Sequence, residues 1–105
     1  MKGSKLVRDK IPTIIRKNGK KFSMHIANEQ EYEEALWNKL DEEVAEFKAD
    51  VCEEEAADIL EVINSIVEFY NLKHYDVETA RQVKLGARGG FRDRIILDEV
   101  FDSDR

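Results

Sequence analysis

Two pairs of acids have the spacing to do chemistry. Glu43 and Glu46 are three residues apart, and so are Glu55 and Asp58. On a helix each pair shares a face, and like charges at that spacing oppose the helix by about 0.2–0.5 kcal/mol per pair. The repulsion becomes attraction when a cation sits between them. Hard carboxylate oxygens suit Mg²⁺, with Mn²⁺ as the other candidate. A solvated acidic face is the plainer reading of such a run. Asp58 argues against it, because it interrupts an apolar stretch, Ala56-Ala57-Asp58-Ile59-Leu60, where a carboxylate needs a partner or a raised pKa.

Phosphoanhydride chemistry follows from a Mg²⁺ site of this kind, since the ion binds substrate phosphates and stabilises charge during transfer. Glu42, next to Glu43, is placed to orient or deprotonate an attacking water, or simply to carry surface charge. Phosphates also need cations, and there is no Walker motif to cradle them. The candidates are Lys5, Arg8 and Lys10 near the start, and Lys84 and Arg88, which are four apart and share a helix face. Each is also an ordinary solvated charge. No serine or cysteine stands in a triad context, so direct attack by metal-activated water is favoured over a covalent intermediate. His25, between Met24 and Ile26, reads as a packed or surface residue.

The elements that must position these acids are helical. Leu36, Leu40, Val44 and Phe47 recur at helical spacing, giving a helix from Asn28 or Glu29 to about Ala49. Asn28 is its N-cap, with Glu31 completing an arrangement like a capping box. A second helix, from about Cys52 to Leu72, is apolar on most sides, as expected of a helix central to a bundle or an oligomer interface. The short connection makes the two antiparallel neighbours and brings the acid pairs face to face. Pro12 biases Ile11 away from helical geometry, and one or two helical turns follow it before Asn18-Gly19. Lys20 to Asn28 reads as extended. Asp76 caps a third helix, Val77 to about Leu85, which Gly86 ends or loosens. Arg94–Leu97 reads as a short strand or helical turn, and the acidic tail from Asp98 frays. The expected fold is all-α: an antiparallel bundle of two long helices and a shorter third, completed by oligomerisation.

A chain of 105 residues is one domain, 1–105, whose stability at this size leans on an interface. The net charge of −6 argues against stable nucleic-acid binding. It is unevenly spread: Lys2–Lys21 holds eight bases and one acid, whereas Glu29–Glu61 holds fourteen acids and two bases. No membrane span and no secretory leader are visible. The single cysteine, Cys52, forms no internal disulfide, so a cytoplasmic protein is expected.

The acid blocks Glu42-Glu43-Val44-Ala45-Glu46 and Glu55-Ala56-Ala57-Asp58 resemble the E-E-x-x-E and E-x-x-D motifs of the MazG-like all-α nucleoside triphosphate pyrophosphohydrolases. The second block is also similar to phosphoribosyl-ATP pyrophosphohydrolase. KLVRDKIP at the start and RGGF at Arg88–Phe91 look like a small house-cleaning branch of that superfamily. The resemblance implies a Mg²⁺-dependent hydrolase and a homodimer or tetramer. Its substrate would be a nucleoside triphosphate, non-standard ones included, cleaved between the α- and β-phosphates to monophosphate and pyrophosphate. Glu43, Glu46, Glu55 and Asp58 match the metal-binding acids, and Glu42 and Glu43 are the catalytic candidates. Only eight residues separate Glu46 from Glu55, fewer than in many relatives. Phosphoribosyl-ATP hydrolysis is the enzyme alternative. A non-catalytic helical module binding a nucleotide or partner is the alternative from another class.

Overall fold

The computed structural model describes residues 4–103, and it is helical, with no strand among them. Lys2, first of the basic run, and Asp104 and Arg105 of the tail lie outside the described residues. The helices are α1 (Ile11–Lys17), α2 (Glu29–Ala49), α3 (Glu53–Phe69) and α4 (His74–Arg88). Chain contacts gather into two compact units, Met1–Lys73 and His74–Arg105. No helix among the described residues is long and apolar enough to cross a membrane.

In the first unit, α2 begins where the sequence places it. The Asn28 side chain accepts a hydrogen bond from the Glu31 N–H at 2.9 Å, a cap worth about 1 kcal/mol. The return half of a capping box is replaced by another contact: the Glu31 carboxylate meets His25 Nε2 at 2.8 Å. His25 is thereby explained as a structural partner. At the other end of this unit, α3 stops at Phe69, three residues short of expectation. Asn71 takes a positive φ of 59°, and the Leu72 N–H reaches back to the Val67 carbonyl at 2.9 Å. That closes the helix in the way a C-terminal glycine commonly does, and asparagine tolerates this conformation better than most residues.

α2 and α3 are joined by Asp50, Val51 and Cys52 and pack on one another. Their contacts run in opposite chain order: Tyr32 near the start of α2 meets Phe69 at the end of α3, ring centroids 5.7 Å apart. The core is Leu36, Val62 and Ile66, with Leu6, Tyr32, Leu40 and Phe69 against it. Leu6 matters for function, because it ties the N-terminal segment onto the helix pair. A polar tie sits at the Tyr32 end, where Tyr70 Oη accepts from Trp37 Nε1 at 3.0 Å and donates to Glu33 at 2.6 Å.

Ile11 is helical, against the bias expected from the proline that follows it: Pro12 stands in the first turn of α1, where its missing N–H is not needed. Gly19, φ 74°, ends that helix. Residues 20–28 form no regular element. The apolar breadth of α3 leaves a face outward, with Leu60 64% exposed and Ile63 exposed as well.

The second unit differs from expectation at both ends of its helix. α4 starts at His74, so Asp76 lies inside the first turn rather than before it. It passes through Gly86, since one glycine costs a helix only about 1 kcal/mol, and ends at Gly89 (φ 79°), whose N–H bonds the Leu85 carbonyl at 2.9 Å. Arg94–Leu97 forms neither a strand nor a helical turn. Arg94 takes a φ of 62°, and Ile95, Ile96 and Leu97 are exposed, with no neighbouring strand among the described residues to complete a ladder.

Candidate metal centre

Helix rotation decides which acids meet. On α2 the residues facing α3 follow the sequence Leu36, Leu40, Glu43, Phe47, at steps of four, three and four. Glu43 thus stands on the apolar stripe, and it is the one buried charged residue among the described residues, 6% exposed. On α3 the corresponding row runs Glu55, Asp58 or Ile59, Val62, Ile66 and Phe69. The consequence is a cluster at the hairpin end of the pair: one carboxylate oxygen from each of Glu43, Glu55 and Asp58 lies within 4.8 Å of the other two.

Two oxygens of this trio, Glu43 Oε2 and Glu55 Oε2, are inaccessible to solvent and have no hydrogen-bond partner. Leaving a buried acceptor unpaired is unfavourable, and more so for a charged group. Burial, followed by the charges of Glu46, Asp58, Glu43 and Asp50, pushes the Glu55 carboxyl above its ordinary range. Hard oxygen donors, close convergence and orphaned lone pairs are the donor set a Mg²⁺- or Mn²⁺-sized cation takes, so these residues fit the ion that the spacing predicts.

Glu46 is one turn on and exposed. Its charge is felt at Glu55, but its carboxylate is outside the trio. Glu42 is outside it too, and its two oxygens meet lysines: Lys39 at 3.0 Å and Lys5 at 3.4 Å. The hydrogen bond from Lys39 leads the causes that hold the Glu42 carboxyl below its ordinary range. Lys39 also reaches Glu43 Oε1 at 3.2 Å. Burial pulls the Lys39 ammonium down, but its bonds to Glu42 and Glu43 outweigh this and leave it raised. Sequence reasoning overlooked Lys39 as a site residue. The signal was present, since a lysine three and four residues before two glutamates shares their helix face.

From the N-terminal segment, Arg8 Nη2 meets Asp58 Oδ1 at 2.6 Å. Lys5, Arg8 and Lys10 line one groove of about 670 Å³ together with Lys39, Glu43 and Asp58. Three of the five predicted phosphate-binding cations are therefore beside the acids. Lys84 and Arg88 belong to the second unit, on α4, one turn apart and both exposed.

The raised Glu55 carboxyl sets a pH dependence. The folded chain holds that proton to higher pH than the unfolded chain does, so this contribution to stability is full at low pH. It is lost as pH rises through the raised folded pKa. Glu42 has the opposite sign and acts lower: its contribution is present above the ordinary carboxylate range and lost as pH falls through its depressed pKa. Thermal unfolding in a chelator should therefore show a component of stability that declines as pH rises above the ordinary glutamate range. Glu55→Gln should flatten that decline, and an unchanged slope in the variant would remove the assignment.

No protein-family profile and no solved structure matches the chain. An uncharacterized protein from Mycolicibacterium smegmatis (strain ATCC 700084 / mc(2)155) is 48% identical over 46 residues, a stretch covering 44% of this chain and 47% of that protein. The match thus spans about half of the relative's length.

Proposed function

We infer that the chain is a Mg²⁺-dependent nucleoside triphosphate pyrophosphohydrolase of the MazG-like kind, releasing monophosphate and pyrophosphate. The observation that carries this reading is the convergence of Glu43, Glu55 and Asp58, with two buried and unpartnered oxygens, beside a groove lined by Lys5, Arg8 and Lys10. Glu43, Glu55 and Asp58 hold the cation, and Glu46 is the next acid within its field. When bound, the ion supplies positive charge to phosphate oxygens and makes an attacking water more acidic. Lys5, Arg8 and Lys10 bind and orient the polyphosphate. Glu42 orients the water or accepts its proton, which requires Lys39 or Lys5 to give up one of its oxygens. Mn²⁺ serves in the same site. The outward apolar face of α3, at Leu60 and Ile63, supports a bundle completed by a second copy, as dimer or tetramer. The single cysteine accords with a cytoplasmic location.

The test is a panel of nucleoside triphosphates and phosphoribosyl-ATP incubated with the full chain and Mg²⁺, with pyrophosphate detected directly. Pyrophosphate and a monophosphate are the expected products. Orthophosphate with a diphosphate would move the cleavage site, and turnover of phosphoribosyl-ATP alone would select the biosynthetic alternative.

One observation favours the non-catalytic reading. Arg8 and Lys39 already neutralise Asp58 and Glu43, as in an acid cluster that serves only to dock the N-terminal segment. In that case no substrate on the panel turns over and Mg²⁺ leaves the melting temperature unchanged.

A further inference from the structure

Asp58 is claimed twice. Its carboxylate belongs to the trio with Glu43 and Glu55, and it also accepts the 2.6 Å bond from Arg8. The Arg8 side chain is 58% exposed, so it is not locked in place by packing. Its flanks are: Leu6 packs on the core two residues earlier, and α1 begins at half-buried Ile11 three residues later. A short span held at both ends can turn one side chain without moving the segment that carries it. A divalent cation in the trio would stand close to the guanidinium, and like charges repel strongly where water is partly excluded. Arg8 must then leave Asp58 or be joined by an anion. The groove into which it would turn is lined by the cations Lys5, Lys10 and Lys39 as well as by the acids Asp9, Glu43, Asp58 and Glu61. An anion entering there meets a planar donor fork suited to bidentate phosphate contact.

We propose that Arg8 is the internal counter-ion of the acid trio, displaced from Asp58 by a divalent cation and handed to the polyphosphate that accompanies it. The inference rests on the reading of the trio as a cation site. It makes cation loading and polyphosphate binding one coupled event, with Arg8 as the positioning residue.

Calorimetric titration of the full chain with Mn²⁺ alone, and then of the Mn²⁺-loaded chain with inorganic tripolyphosphate, separates the two halves. Arg8→Gln should bind Mn²⁺ about two- to five-fold more tightly, the scale on which an exposed ion pair competes. It should bind tripolyphosphate about ten-fold or more weakly, as expected for loss of a charged hydrogen bond. Arg8→Lys should restore ordinary Mn²⁺ affinity and only part of the tripolyphosphate affinity, because an ammonium lacks the fork. A gain in Mn²⁺ affinity cannot come from misfolding, so the first result is protected from that artefact. Equal or weaker Mn²⁺ binding by Arg8→Gln overturns the counter-ion role while leaving the cation site standing. Absence of Mn²⁺ binding in both chains overturns the cation site and this inference with it.

Discussion

Replacing Glu55 with Gln is expected to move stability and activity in opposite directions. Without a cation, Glu55 is an unfavourable charge: one oxygen is buried and unpartnered, and four neighbouring acids add to the burial that raises its pKa. A neutral amide of the same shape removes that repulsion, so the chelated protein should melt higher than the parent. On the proposed reading, the same change in the presence of Mg²⁺ removes a ligand. Pyrophosphate release should then fall by at least ~100-fold, the scale of losing one electrostatic group at a charged transition state. Melting curves in chelator and in Mg²⁺, alongside initial rates, check both halves. Retained activity would remove Glu55 from the site. A lower melting point in chelator would make it a structural residue.

Leu36→Ala should cost about 2–5 kcal/mol, the range for deleting a fully buried leucine side chain. Leu36 is 2% exposed and lies at the centre of the contacts joining α2, α3 and Leu6. Domains of this kind are stable by only ~5–15 kcal/mol, so the loss is a large share of the total. The damage should also reach the site, because Leu6 loses part of the surface that holds Lys5 and Arg8 over the acids. Leu60→Ala is the control: that residue is 64% exposed, and its change should stay within about 0.5 kcal/mol in the monomer. Urea unfolding followed by the helical circular dichroism signal measures both. Similar midpoints for the two variants would mean that the Leu36 cluster is not the core.

The first helix of the acid pair was legible because its signals are local. Asn28 caps it, the apolar residues repeat along one face, and the short link to α3 forces the acids together. The distinction between Glu43 and Glu46 was harder to see. Both share a face with each other, but only Glu43 stands in the row with Leu40 and Phe47, so the rotation of the helix buries one and exposes the other. The Arg8–Asp58 contact spans 50 residues of sequence, and no periodicity announces such a pair. The extent of α4 is harder to read, because Gly86 can either end a helix or merely loosen it. A helix tolerates one glycine, and the stop falls at Gly89, where the backbone turns to positive φ. Arg94–Leu97 has the composition of a strand, but composition alone supplies no partner for its backbone groups.

The trio itself is open to direct measurement. Titrating the full chain with Mn²⁺, with free ion followed by electron paramagnetic resonance, reports whether Glu43, Glu55 and Asp58 hold a divalent cation. Saturable binding in the parent chain, lost in Asp58→Asn while the helical signal is unchanged, is the result expected of a three-carboxylate site. No saturable binding, or binding that Asp58→Asn leaves intact, would contradict it.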